Sequence, residues 1–147
     1  MTTFGFRYIE GPVDVFNYPE DSTGDTFKCG DPVYIVAGKV RIAASDQAIV
    51  GIAMQDAKAD DLGALIRVAK IHPDQVWCAI ADDTTTQAME GLKYGLNISA
   101  GNCTIDLADT TTVTVIVMQL DPADGPVASA GKMWVRFLRA VCDVYGN

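Results

Sequence analysis

Residues 30–53 constrain the fold more than any other part of the chain, because their apolar and polar side chains alternate as in an antiparallel β-sheet. Alternation over residues 33–36 and again over residues 39–42 places one face of each strand on a core and the other in water. Ala37-Gly38 lies between the two runs, and glycine supplies the positive φ that a tight hairpin needs. We therefore predict a hairpin, with a third strand over residues 49–53.

Further β-rich runs follow at close spacing. Residues 65–71 and 75–81 flank a proline turn and predict a second hairpin. Residues 111–120 are dense in β-branched side chains, which favours a central strand that is buried on both faces. Residues 132–142 predict a last strand, although periodicity alone leaves a helix open there.

Residues 83–95 are the helix candidate of this chain. Thr84 and Gln87 have the spacing of a capping box, and Gly91 limits such a helix to two turns. Seven to nine short strands and at most one short helix predict a mainly β fold, a compact antiparallel β-barrel or sandwich. The 147 residues suffice for one domain, which we assign to residues 26–147.

Residues 1–25 have a different composition, in which aromatic residues alternate with glycine and proline. Turn formers at this density prevent a long regular element, yet aromatic side chains are seldom left in water. We therefore predict an extended N-terminal arm that lies either on its own domain or on a neighbouring subunit. The candidate partner-contact residues are Phe4, Phe6, Tyr8, Phe16 and Tyr18.

The charge balance bears on the class of partner. The chain has 19 acidic and 11 basic residues and a net charge of −8, without any basic run. Nucleic acid as a direct partner and an anionic membrane surface are both disfavoured, because both are bound through clustered Lys and Arg. The first residues lack a secretory signal pattern and no apolar run reaches the ~20 residues of a membrane span, so we expect a soluble protein made in a cytoplasm.

The sequence offers few residue patterns that could support catalysis or metal binding. His72 is the one histidine, so no nucleophile–histidine arrangement can be argued. The four cysteines have no closely spaced pair, which favours free thiols over a zinc site and leaves disulfides as the alternative. The acidic loop at residues 54–63 does not have the spacing of a calcium loop. We predict no enzyme, no metal and no cofactor.

Two stretches of the predicted β domain resemble the opening of tailed-phage head decoration proteins, also called capsid cement proteins. They are Gly30-Asp-Pro-Val-Tyr-Ile35 and Ile49-Val-Gly-Ile-Ala-Met-Gln-Asp-Ala57, and residues 94–96 and 133–138 are similar to further parts of that pattern. The resemblance implies a mostly β structural protein on the outer surface of a phage head. Its implied partners are the major capsid protein and further copies of itself, as a homotrimer or homodimer.

A second reading of the same residues is a β-barrel that binds a carbohydrate or another ligand on a virion or cell surface. Trp77, Trp134 and Tyr34 are the candidates to line such a site, although tryptophan on a strand is more often part of a core. A third reading, an enzyme with a site of scattered Asp and Thr residues, has no motif behind it.

Overall fold

The computed structural model describes residues 5–21, 26–44, 48–58 and 64–142. These residues form thirteen strands, one 3₁₀ turn at Gln87–Met89 and one short helix, α1 (Arg139–Cys142). In chain order the strands are β1 (Arg7–Glu10), β2 (Val15–Pro19), β3 (Pro32–Val36), β4 (Lys39–Ile42), β5 (Gly51–Ala53), β6 (Leu65–Lys70), β7 (Val76–Ile80), β8 (Thr85–Thr86), β9 (Lys93–Asn97), β10 (Thr104–Asp106), β11 (Val115–Leu120), β12 (Val127–Ala128) and β13 (Lys132–Phe137).

The strands form two large antiparallel sheets and one small one. The six-stranded sheet has the order β1-β7-β13-β11-β9-β10, and the five-stranded sheet has the order β2-β6-β5-β3-β4. Strands β8 and β12 pair as a separate two-stranded sheet. The predicted mainly β, antiparallel fold is confirmed, and the arrangement is sandwich-like, since no sheet of the described residues closes into a barrel.

Two apolar clusters hold the sheets together. The main core combines side chains of both large sheets, such as Trp77 and Val135 from one and Ile52 from the other. The second core lies on the opposite face of the five-stranded sheet. That sheet curls around it, because the Asp21 N–H donates to the Val40 carbonyl (3.0 Å) and brings the β2 edge to the β4 edge. The five-stranded sheet therefore has buried side chains on both of its faces.

The hairpin predicted from residues 33–42 is confirmed. Strands β3 and β4 pair from Val33↔Ile42 to Val36↔Lys39, and β5 pairs with β3 as the predicted third strand. Ala37 and Gly38 both have positive φ, 50° and 77°. Two left-handed residues give the turn a twist that matches the twist of the strands. The local sequence is therefore enough to specify this hairpin.

The second predicted hairpin is wrong, since β6 and β7 belong to different sheets. The buried side chain of Gln75 explains the change of sheet. Its Oε1 accepts the His72 N–H (2.8 Å), and its Nε2 donates to the carbonyls of Pro12 (2.7 Å) and Lys70 (2.9 Å). These bonds fix the connection in a shape that carries the chain from one sheet to the other.

The helix predicted at residues 83–95 is also wrong. Thr85 and Thr86 are paired with β12, and the turn that follows has no side-chain cap. β-branched residues disfavour a helix, and Gly91 adopts a φ of 88°, which ends the turn. The α-helix found among the described residues lies instead at Arg139–Cys142, where a strand was predicted to continue.

Strand β11 is shorter and less buried than its sequence predicted. It begins at Val115, because the carboxylate of Asp109 accepts the N–H groups of Thr111 (3.1 Å) and Thr112 (2.9 Å) in a turn. The strand is interior in the sheet, paired with β9 and β13. Only one of its faces is buried, since Met118 is 45% exposed. The prediction of burial on both faces is therefore wrong.

The described part of the N-terminal segment is extended and paired with both large sheets. Strand β1 is the edge strand next to β7, and β2 is the edge strand next to β6. Gly11 lies between them with a φ of 110°, and an added Cβ would lie 2.6 Å from the Asp74 carbonyl oxygen. Residues 5–20 therefore lie on this chain's own sheets.

Candidate functional site

The structure separates the five aromatic residues that the sequence grouped as partner contacts. Phe6 is only 6% exposed, and its ring centroid lies 5.1 Å from that of Phe137 in the main core. Tyr18 is half-buried against the second core. Tyr8 and Phe16 are 42% and 45% exposed, so both present an aromatic surface to solvent. Phe4 lies outside the described residues.

Exposed apolar side chains are concentrated on the N-terminal segment. Of the nine large apolar side chains exposed among the described residues, four lie between residues 8 and 16: Tyr8, Val13, Val15 and Phe16. Met54, 40% exposed, borders the same cleft as Tyr8 and Val13. We call Tyr8, Val13 and Met54 the apolar rim. The sequence pointed to the aromatic members, but nothing in its pattern distinguished Val13 or Met54 from core residues.

The apolar rim borders a cleft of about 860 Å³ between the two large sheets. Its apolar lining includes Phe6, Trp77 and Ala79 on the side of the six-stranded sheet, and Ile52 and Ala69 on the side of the five-stranded sheet. The loop that enters β13, residues 128–131, lines a further part of the cleft. The Tyr8 ring is held in place, because its hydroxyl donates to the Gly11 carbonyl (2.6 Å) and its centroid lies 5.8 Å from that of Trp77.

Arg7, Lys132 and Asp124 are the charged residues among the described ones that line the cleft. Arg7 lines the cleft beside the Cys78 thiol, and no carboxylate of the described residues forms an ion pair with it. Burial raises the pKa of Cys78, although the positive charge of Arg7 opposes this shift. The thiol is therefore protonated at neutral pH and is a poor nucleophile. All four cysteines are free, and Cys29 is the exposed one.

Asp121 supports the cleft from behind Cys78. Burial acts to raise its pKa, but hydrogen bonds from the Ala123 N–H (2.9 Å) and the Cys78 thiol (3.6 Å), together with the charge of Lys132, leave the pKa below its ordinary value. The ionised carboxylate is thus the form that the folded protein favours.

We expect the Asp121 carboxylate to make folding stability depend on pH. Because its folded-state pKa is lowered, its contribution is present above the unfolded pKa of about 3.9 and is lost as pH falls through the folded pKa. Asp121→Asn should lower the free energy of unfolding by roughly 1 kcal/mol at pH 7. The difference from the wild type should shrink in acid, which urea unfolding between pH 2.5 and 7 measures. A difference that is constant over this range would contradict the assignment.

The three residues of the carbohydrate reading are not brought together. Trp77 lines the cleft but is 3% exposed, so little of its ring is available to a sugar. Trp134 and Tyr34 are half-buried and do not line this cleft. Tyr34 instead packs against the main core. The structure therefore gives no paired aromatic platform for a sugar ring from these residues.

The described ranges contain no group of three side chains suited to holding a metal ion, although residues 59–63 of the acidic loop lie outside them. In the same ranges, no helix has the length and apolar character that crossing a membrane requires. Comparisons of the chain with protein-family models, with curated proteins and with solved structures gave no match.

Proposed function

We propose that the protein is a structural capsid decoration (cement) protein, which binds the outer surface of a phage head and stabilises contacts between major capsid protein subunits. The observation that carries the proposal is the group of exposed apolar side chains on residues 8–16 and Met54. Exposed apolar side chains concentrated on one segment are typical of an interaction site, and aromatic and Met residues are enriched at interfaces. The sequence is acidic and contains no run of basic residues of the kind that binds nucleic acid or an anionic membrane.

Rigid support of this surface favours tight adhesion. The exposed residues of the N-terminal segment lie on strands β1 and β2 and on the turn between them. Strand β1 is hydrogen-bonded to β7 in one large sheet, and β2 is hydrogen-bonded to β6 in the other. Docking such a segment orders little new backbone, so less of the binding energy is lost as conformational entropy. A homotrimer or homodimer would present several copies of the surface at once, and this multivalency makes weak single contacts durable. No chemical step is needed for this role.

The test is binding of the purified protein to undecorated phage heads. We expect the wild type to sediment with heads and to add density on their outer surface in electron microscopy. Phe16→Ser should weaken binding at least tenfold, because it removes an exposed aromatic anchor. Leu92→Ser is the matched control, since Leu92 is 50% exposed on the connection before β9 and should bind within twofold of wild type. Wild-type protein that does not bind heads at any concentration would refute the proposal.

A second function, a ligand-binding module on a virion or cell surface, is favoured by one observation. The cleft of about 860 Å³ lies within the range of small-molecule pockets, and its lining is largely apolar. Saturable binding of a glycan or small ligand by the isolated protein, without affinity for heads, would establish this function in place of the first.

A further inference from the structure

Strand β1 is an edge strand of the six-stranded sheet, and no strand of the described residues pairs along its outer edge. Its four side chains are exposed, except for that of Ile9, which is partly buried. Just before the strand, the Phe6 N–H donates to the Gly30 carbonyl (2.7 Å) and so points away from β7. Because amides alternate in direction along a strand, the Tyr8 N–H points away from β7 as well. The edge can therefore accept a further strand.

A β-bulge places the two charged side chains of β1 on one face of the sheet. Arg7 lies opposite Cys78 and Glu10 lies opposite Val76, with the bulge between these two pairs. Cys78 and Val76 are two positions apart on β7, so their side chains share a face, and Trp77 between them points into the main core. Arg7 and Glu10 therefore both lie on the outer face, whereas a regular strand would place them on opposite faces.

The charges on β1 are complementary to those of a second copy. Neither Arg7 nor Glu10 forms an ion pair within the described part of the chain. Charged residues at an edge usually prevent strand pairing, but these two have opposite signs and stand at opposite ends of the strand. In-register parallel pairing with a second copy would place Arg7 against Arg7. Antiparallel pairing places Arg7 against Glu10 twice, so the charge pattern favours a second copy in the antiparallel direction.

We infer that the outer edge of β1 is a self-association surface, along which two copies pair antiparallel about a two-fold axis. Arg7 of each copy then lies opposite Glu10 of the other, and Tyr8 lies opposite Ile9. A contact of this kind uses the same surface on both copies and closes at two. It does not depend on the proposed function. It leaves the exposed side chain of Phe16, on the other large sheet, open to a different partner.

The contact is short, so we expect a weak dimer that forms in a concentration-dependent way. The net charge of −8 on each copy opposes approach, but at physiological salt charges further apart than about 8 Å are largely screened. In sedimentation equilibrium at this salt, the wild type should shift from monomer to dimer as its concentration rises to the millimolar range. A protein that stays monomeric there, or that forms trimers, would overturn the inference.

Charge reversal tests the pairing. Arg7→Glu and Glu10→Arg should each raise the dissociation constant of the dimer at least tenfold, because each variant replaces two attractions with two repulsions. Mixed in equal amounts, the two variants should associate with each other about as tightly as two wild-type copies, since opposite charges then face each other again. Net charge alone cannot give this result, because it becomes more negative in one variant and less negative in the other.

Lys39→Glu is the matched control for Arg7→Glu. Lys39 is exposed in the β3–β4 hairpin, and its replacement makes the same change of net charge away from β1, so the dimer should be unaffected. Thermal melting checks that every variant is folded, and Arg7→Gln is the milder replacement if Arg7→Glu melts early. Dissociation constants that do not change in the two β1 variants, or a mixture that fails to associate, would overturn the inference.

Amide hydrogen exchange reports strand pairing directly. The Tyr8 amide should exchange more slowly as the protein concentration rises, while the amides of the turn at residues 37–38 should be unaffected. Dimerisation without protection of Tyr8 would place the interface elsewhere and overturn the inference. These outcomes are independent of head binding: a chain that dimerises through β1 but does not bind heads would refute the decoration function alone, and a monomer that binds heads would refute the β1 interface alone.

Discussion

Phe6→Ala is expected to lower the free energy of unfolding by about 3–5 kcal/mol, the usual cost of deleting a large aromatic side chain from a core. Phe6 is 6% exposed, and its ring centroid lies 5.1 Å from that of Phe137 and 6.5 Å from that of Trp77. Trp77 and Phe137 lie on strands β7 and β13, and each of these strands is paired along both of its edges. They can collapse only in part, so both the transfer term and the cavity term contribute.

The same segment supplies a matched control. Phe16→Ala removes the same atoms ten positions further along the chain, but Phe16 is 45% exposed and contacts the Lys70 ammonium 4.6 Å from its ring centroid. We expect a loss of about 1 kcal/mol or less, from partial burial and a surface cation–π contact. Urea unfolding of both variants, followed by tryptophan fluorescence, measures the difference. Similar small losses for the two would mean that residues 5–20 are a detachable arm.

This contrast decides how head binding can be tested. A deletion of residues 1–20 removes the edge strands β1 and β2 and the core side chain of Phe6. Loss of binding by such a deletion would report unfolding as readily as a lost contact. A single exposed side chain avoids this ambiguity, which is why Phe16 carries the binding experiment.

The elements that could be predicted from the sequence are those set by neighbouring residues. The β3–β4 hairpin follows from strict alternation around Ala37-Gly38, and both of its turn residues have the positive φ that such a turn requires. The partner strand is here the next one along the chain, so local pattern and tertiary pairing agree.

The failures arise where a distant contact overrides the local pattern. Strands β6 and β7 look like a hairpin, but Gln75 bonds to Pro12, 63 residues away in sequence, and the chain changes sheets there. The predicted helix at residues 83–95 is replaced by pairing of Thr85 with Ala128. Such contacts leave no periodic signal in the segment that they redirect.

The candidate site was predictable in composition but not in detail. The density of aromatic residues in residues 1–25 indicated a contact surface, yet Phe6 and Tyr8 are two positions apart and differ sharply in exposure. Both rings contact Trp77, but Tyr8 lies on the edge strand β1 and remains 42% exposed. The cleft needs side chains from β1, β5, β6 and β7, so it exists only once both sheets are assembled.

A second large loss of stability is expected at Asp31, which links the two sheets. Its side chain is buried, 1% exposed, and Oδ2 accepts the N–H groups of Lys28 (2.9 Å) and Gly101 (2.8 Å). Gly101 precedes β10 in the six-stranded sheet, and Asp31 precedes β3 in the five-stranded one. Asp31→Ala leaves two donors without an acceptor, at about 1–3 kcal/mol each. We therefore expect a loss of about 3 kcal/mol in urea unfolding.

Asp56 is the control for this prediction, because it accepts a backbone N–H from the same turn in an exposed setting. Its Oδ1 bonds to the Cys29 N–H (2.9 Å), and its ion pair with Lys28 (4.0 Å) is 59% exposed on both sides. Asp56→Ala should cost less than about 1 kcal/mol, since water replaces the lost acceptor. Asp31→Asn keeps one oxygen acceptor and should fall between the two alanine variants. If Asp31→Ala costs no more than Asp56→Ala, the bond to Gly101 does not hold the sheets together.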